Sequence, residues 1–253
     1  MMQRVTSRRM TIAAAIVAAS GAGAEEGLPK LGPEAVPVTA ETTYLRLAPA
    51  EDFWAFSPFV VPQITSSACS VAAVTAAING LRGLPEGAET PILTQSALLE
   101  AVNNPAWTEA VAEDGDGVSF AQLLAYTSES LAATGMTGYS VTALRPTGGA
   151  PEDDLATLHA LLETNEKSAR DAVLVYFNQG VVTGDWDGPH VALIGAYDLI
   201  SERVLILEVD QEWYIPYWTS TETLLAAMLR PAPEEHGPLA GERGGLVHIH
   251  PVE

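Results

Sequence analysis

Two kinds of apolar pattern run along this chain. One has helical spacing and dominates the first half. Residues 69–79 are apolar almost throughout and predict a helix closed by Gly80. Residues 94–102 read as a helix capped by Thr94, and residues 119–133 as one that turns Leu123, Leu124 and Leu131 inward. Residues 152–164 form an amphipathic helical pattern, and residues 220–229 a shorter one. The second kind is β-branched and continuous. It appears at 172–177, 191–197 and 204–209, after an alternating strand at 139–144 and before a last strand at 245–250. A polar turn near 199–202 joins the middle two runs as an antiparallel hairpin. Helices first and antiparallel strands later predict an α+β fold in one domain spanning residues 51–253.

Composition narrows the function. The chain has 253 residues, 47% of them apolar, enough for a substantial core. It carries 32 acidic against 12 basic side chains, a net charge of −20. Such a surface repels nucleic acid and anionic membranes, so neither is expected as a partner. A single cysteine excludes an internal disulfide and a Cys-rich metal module. Residues 1–24 read as an export signal, with Arg4, Arg8 and Arg9 ahead of a short apolar stretch and Ala22-Gly23-Ala24 as the cleavage site. That stretch is too short for a membrane span, so the mature protein is expected in the periplasm or secreted, without stable membrane insertion. Residues 25–50 read as a flexible arm. Phe53, Trp54, Phe56 and Phe59 then form an aromatic cluster that anchors the chain to the core.

The lone cysteine, Cys69, stands where a Pro-containing segment gives way to the first helix, with Ser66 and Ser67 as candidate N-caps. A thiol at a helix N-terminus meets the positive end of the dipole, which favours the nucleophilic thiolate. A cysteine ahead of an Ala/Val helix is equally the pattern of a core thiol. Gln63, six residues upstream, can aim an amide N–H at a carbonyl under attack. Asp187-Gly-Pro-His190 ends a loop and opens the first hairpin strand, so His190 can face a cleft and pair with the thiol. For a hairpin turning near 199 or 200, the residue opposite His190 falls between 208 and 210. Glu208 and Asp210 share that strand face, and either could orient the imidazole. His248 and His250 lack a third ligand and read as surface, and His159 as a surface or boundary residue. Asp114-Gly-Asp-Gly117 reads as a turn, because its ligand spacing is wrong for calcium.

These pieces together resemble phytochelatin synthase, in the short bacterial form without the Cys-rich C-terminal half. The likeness is carried by Gln63-x5-Cys69, the Thr94-Gln95 helix start, the strand from Gly188-Pro-His190 to Tyr197-Asp198, and Arg203-Val-Leu-Ile-Leu-Glu208-Val, across roughly residues 53–230. It implies a papain-like fold, Cys69 as nucleophile, Gln63 as oxyanion donor, His190 as base, and Glu208 where the family has aspartate. It also implies attack on the Cys–Gly amide of glutathione, release of glycine, and passage of the γ-glutamylcysteinyl thioester to another glutathione or to water. No cofactor is required; cadmium or zinc would enter as a thiolate complex of the substrate. The sequence departs from the family at Ser70, where glycine follows the cysteine, and at Gln211 and Trp213, where basic residues stand. It departs again at Asn178 and Gln179, where an arginine is expected. The readings left beside this one are a papain-like peptidase acting on another peptide and a non-catalytic binding protein that keeps the fold.

Overall fold

The structure is a computed structural model that describes residues 30–252; the export-signal reading of residues 1–24 lies outside the described residues. In chain order the elements are β1 (Ala35–Pro37), α1 (Thr43–Leu47), α2 (Glu51–Phe56), α3 (Cys69–Arg82), α4 (Gln95–Val102), α5 (Pro105–Ala110), α6 (Phe120–Ala133) and β2 (Tyr139–Leu144). They continue with α7 (Pro151–Asn165), β3 (Ala172–Asn178), α8 (Gln179–Thr183), β4 (Pro189–Asp198), β5 (Arg203–Leu207), β6 (Tyr217–Ser220), α9 (Thr221–Leu229) and β7 (Gly245–Pro251). The strands form one seven-stranded sheet in the order β1-β6-β5-β4-β3-β7-β2, with every neighbouring pair antiparallel. The fold is α+β, as the pattern predicts.

Helices cover both faces of this sheet. On one face, α3 packs with α4 and α6 against Leu174, Tyr176, Val191, Leu193 and Leu205. On the other, α7 and α9 bury Val173, Val175, Phe177, Ala192 and Ile194. That double cover explains why β3 reads as an unbroken apolar run: all seven of its residues are buried. It also explains α3, whose residues Ser70 to Asn79 are all buried because sheet and helices surround it. The helix runs past Gly80 to Arg82. Gly80 lies inside it because Phe56 packs there, and a Cβ at Gly80 would come within 2.0 Å of that ring.

Several local expectations are corrected. Part of the expected flexible arm is built into the sheet: β1 pairs with β6 through Ala35 and Thr219, Val36 and Trp218, and Pro37 and Tyr217. Pro37 sits on an edge strand, where its missing N–H costs nothing. Ser66 and Ser67 do not cap α3. Its N-cap is Ala68, without a side-chain cap bond. Ser66 Oγ accepts from Asp114 N–H, and Ser67 donates to the Gly115 carbonyl, so both serines fasten the 113–117 turn beside Cys69. His248 is not a surface residue; it is partly buried and 2.7 Å from Asp171. By contrast Thr94 and Ser119 do cap α4 and α6, the latter with a reciprocal bond from Gln122.

One carboxyl group sits badly for a folded protein. Asp52 on α2 is 1% exposed, and neither of its oxygens has a partner. Burial, reinforced by Glu166, Asp171 and Glu51, raises its pKa to about 9. Its proton is therefore held in the folded state and lost in the unfolded state over the range from the ordinary carboxyl pKa up to about 9. Stability contributed by the protonated group is full below that range and falls as pH rises through it. Thermal melts of Asp52→Asn are expected to show a gain of about 1–3 kcal/mol at pH 8 and a shallower decline of stability with pH than the parent.

Candidate active site

The N-terminus of α3 and the mouth of the β4–β5 hairpin meet at a cleft of about 640 Å³. Cys69, the first residue of α3, opens onto it and is only partly buried, unlike a core thiol. The first-turn N–H groups of a helix have no intrahelical acceptors, and no side chain caps this one. Ser70 points the other way: its hydroxyl is buried and accepts from the indole N–H of Trp107 at 3.0 Å. The residue that departs from the family pattern is thus fixed by a partner outside the cleft.

His190 faces the cleft from the start of β4 and is 4% exposed. Its Nε2 lies 2.6 Å from Glu208 Oε1. Phe177, directly across from it on β3, packs edge-on at 5.7 Å between ring centres and limits its rotation. Glu208 is fully buried and its oxygens are well supplied. Oε1 also accepts the backbone N–H of Val209 and Asp210, each at 2.8 Å, and Oε2 accepts Gln179 Nε2 at 3.1 Å. Burial acts against charge on both partners, yet the balance goes the other way. Burial alone would lower the imidazole pKa; the Glu208 carboxylate and the hydrogen bond with Cys69 outweigh it and hold it well above the ordinary value. Burial would raise the Glu208 pKa; the His190 charge and the hydrogen bonds hold it low. The pair is therefore charged at neutral pH, with the imidazolium lining the same cleft as Cys69.

The choice between the two acids is made where β5 ends. Leu193 pairs with Leu207, but the register shifts between Ile194 and Ala196, at Gly195, where a Cβ would lie 2.5 Å from Leu207. Strand β5 ends at Leu207, and the chain turns so that Glu208 folds back onto His190. Asp210 is half-buried and sits 3.4 Å from Gln63 Nε2 instead. Gln63 is held at this spot by its own N–H, which donates to the Val209 carbonyl. Its Nε2 also donates to the Ser66 carbonyl at 3.2 Å, while its Oε1 is buried without a partner. Cys69, His190 and Gln63 all line the cleft, and Glu208 stands behind His190.

Two participants were not read from the sequence, and a third was noted there without this role. Gln179 directly follows β3, and the partner that gives it a role, Glu208, lies 29 residues on. His236 and Glu235 reach the cleft from a short turn at Glu234–Leu239, and His236 donates to the Asp187 carbonyl at 2.8 Å. A second groove, of about 720 Å³ between Tyr44, Trp218 and the β4–β5 turn, shares no residue with the cleft. Among the described residues no group of three or more His, Cys, Asp and Glu is arranged to hold a metal ion, and no helix is long and apolar enough to cross a membrane.

Comparison with curated proteins gives no match. Comparison with protein families gives one: the model of phytochelatin synthase matches residues 34–236. That span holds the cysteine, the histidine, the buried glutamate and all the cleft walls except Gly237 and Leu239, and the chain belongs to the phytochelatin synthase family.

Proposed function

We propose that this chain is an exported, papain-like cysteine acyltransferase or hydrolase that opens the Cys–Gly amide of glutathione or a related γ-glutamyl peptide. The observation that carries the reading is the convergence of Cys69 and the Glu208-paired His190 on one cleft of about 640 Å³. Family membership supplies the glutathione-related γ-glutamylcysteinyl transfer.

The chemistry follows from the geometry. The Cys69 thiolate adds to the amide carbonyl, and the developing oxyanion is met by the free N–H groups at the start of α3 and by Gln63 Nε2, which exchanges its long 3.4 Å contact with Asp210 for the oxyanion. The His190 imidazolium gives its proton to the glycine nitrogen as the C–N bond breaks. Glycine leaves, and the γ-glutamylcysteinyl group remains on Cys69 as a thioester. Neutral His190 then takes a proton from water or from an acceptor glutathione as it attacks the thioester, which frees the thiolate and regenerates the ion pair. Glu208 keeps the imidazole turned and charged, and Gln179 holds Glu208. Cadmium or zinc enters this scheme only as a thiolate complex of the substrate.

Incubating reduced protein with glutathione is expected to release glycine and to add a γ-glutamylcysteinyl mass to Cys69; Cys69→Ala should do neither. Glycine released equally by that variant would sink the mechanism. Glu208→Gln keeps the shape but removes the charge that holds the imidazole proton. Its His190 ring should titrate at a lower pH than in the parent, seen by NMR, and kcat/KM should fall by about 10²–10⁴-fold. Gln63→Ala should lower kcat by about 10²–10³-fold with little change in KM. N-terminal sequencing of the exported protein should begin at Glu25.

A further inference from the structure

The machinery for attacking an amide and the charges around it point to different substrates. Glutathione carries two carboxylates, and a site built for it needs cations to meet them. Among the described residues the cleft is lined by Asp116, Asp185, Asp210 and Glu235, and by no lysine or arginine. None of the four carboxylates is in an ion pair. Asp185 accepts from the Tyr214 hydroxyl at 2.8 Å, and Asp210 meets only Gln63 at 3.4 Å, so both keep acceptor capacity. Lys30 stands at the edge, its ammonium 4.5 Å over the ring of Trp213 and 4.8 Å over that of Tyr214. Those two rings line the cleft, so one cation of this chain already rests on the aromatic part of its wall.

A second observation points to a ligand independently of charge. Tyr176 lines the cleft from β3 and is only 2% exposed, yet its hydroxyl has no hydrogen-bond partner among the described residues. A buried phenol without a partner is costly, and a polar group on a bound molecule would satisfy it.

We propose that the cleft selects an amide whose leaving amine carries an ammonium or guanidinium group in place of the glycine carboxylate of glutathione. The inference rests on the acyl-transfer reading above and names the substrate's charge. The aromatic rings of Trp213 and Tyr214 and the carboxylates of Asp116, Asp185 and Glu235 receive the cation; Tyr176 is the hydrogen-bonding contact. Gln211 and Trp213 stand where basic residues are expected from the family resemblance, so the change in charge belongs to this chain's own residues.

Cys69 is the only cysteine, so its modification reads the local field directly. At low salt the cationic reagent 2-aminoethyl methanethiosulfonate is expected to label it at least about tenfold faster than the anionic 2-sulfonatoethyl reagent. The ratio should fall at least about threefold in Asp116→Asn/Asp185→Asn/Glu235→Gln and hold in the equally charged control Glu86→Gln/Glu89→Gln/Asp153→Asn. A ratio near one, or an equal drop in both variants, overturns the inference. Turnover separates it from the reading beneath it. The lysinamide analogue γ-glutamylcysteinyl-lysinamide should exceed glutathione in kcat/KM by about tenfold, with the amide of glutathione between them. Glutathione turned over as fast as the lysinamide would overturn the charge preference and uphold acyl transfer. A sustained reagent ratio with no peptide acylating Cys69 would uphold the preference and remove acyl transfer.

Discussion

A carboxylate with no exposed surface, ion-paired to an imidazole that is almost as deep, is the constraint around which the site is arranged. Removing two charges from water costs several kcal/mol per ion, and mutual attraction offsets that only when the remaining lone pairs are filled. Here they are. Glu208 accepts from His190, from two successive backbone N–H groups and from Gln179. The two backbone bonds have a structural consequence as well. They fold the chain back immediately after β5, which carries Asp210 beside Gln63 and delivers Trp213 and Tyr214 to the cleft. The ion pair and the loop that walls the cleft are one feature.

The sheet supplies the rigidity that such a pair needs. Strand β4 lies in the middle of seven and is bonded on both edges, to β3 and to β5. His190 is itself paired to Phe177 on β3, on a strand whose later residues are also held by β5. Cys69 has an equally stiff mount, the first turn of a helix buried on every side. Catalytic groups held on rigid elements keep sub-ångström alignment. The segments 113–117 and 234–239 border the cleft and carry Asp116 and Glu235.

The long elements were legible because each has one dominant cause. An uninterrupted apolar run of β-branched residues can only be a strand covered on both faces, and β3 is one. A caps-plus-periodicity signal placed α4 and α6 to within a residue. What was hidden depends on partners distant in sequence. Residues 35–37 carry no strand signal of their own; they pair because β6 offers an edge. Ser66 and Ser67 have the chemistry of caps, but a turn nearly fifty residues on takes their hydrogen bonds first. The hairpin count narrowed the orienting acid to two positions. Only the end of β5 at Leu207 and the backbone N–H groups of Val209 and Asp210, which no pattern of side chains announces, decide where each carboxylate ends up.

The departures from the family pattern make physical sense when sorted by what each side chain touches. Ser70 is answered by Trp107, and Gln179 by Glu208; both substitutions are absorbed by the scaffold and leave the reacting groups where they are. Gln211 belongs with them, its side-chain amide donating to the Glu208 carbonyl at 3.1 Å. Trp213 is different in kind, because it faces the cleft. Trp213 is more than half exposed, and an aromatic ring there is supported from outside by Lys30 instead of by a core. A surface indole stacked by a cation, next to unpaired carboxylates, has only one kind of visitor it can stabilise electrostatically. The substitutions that preserve the ion pair and those that reverse the charge of the walls are thus separable, and selection on substrate could act on the second set without disturbing the first.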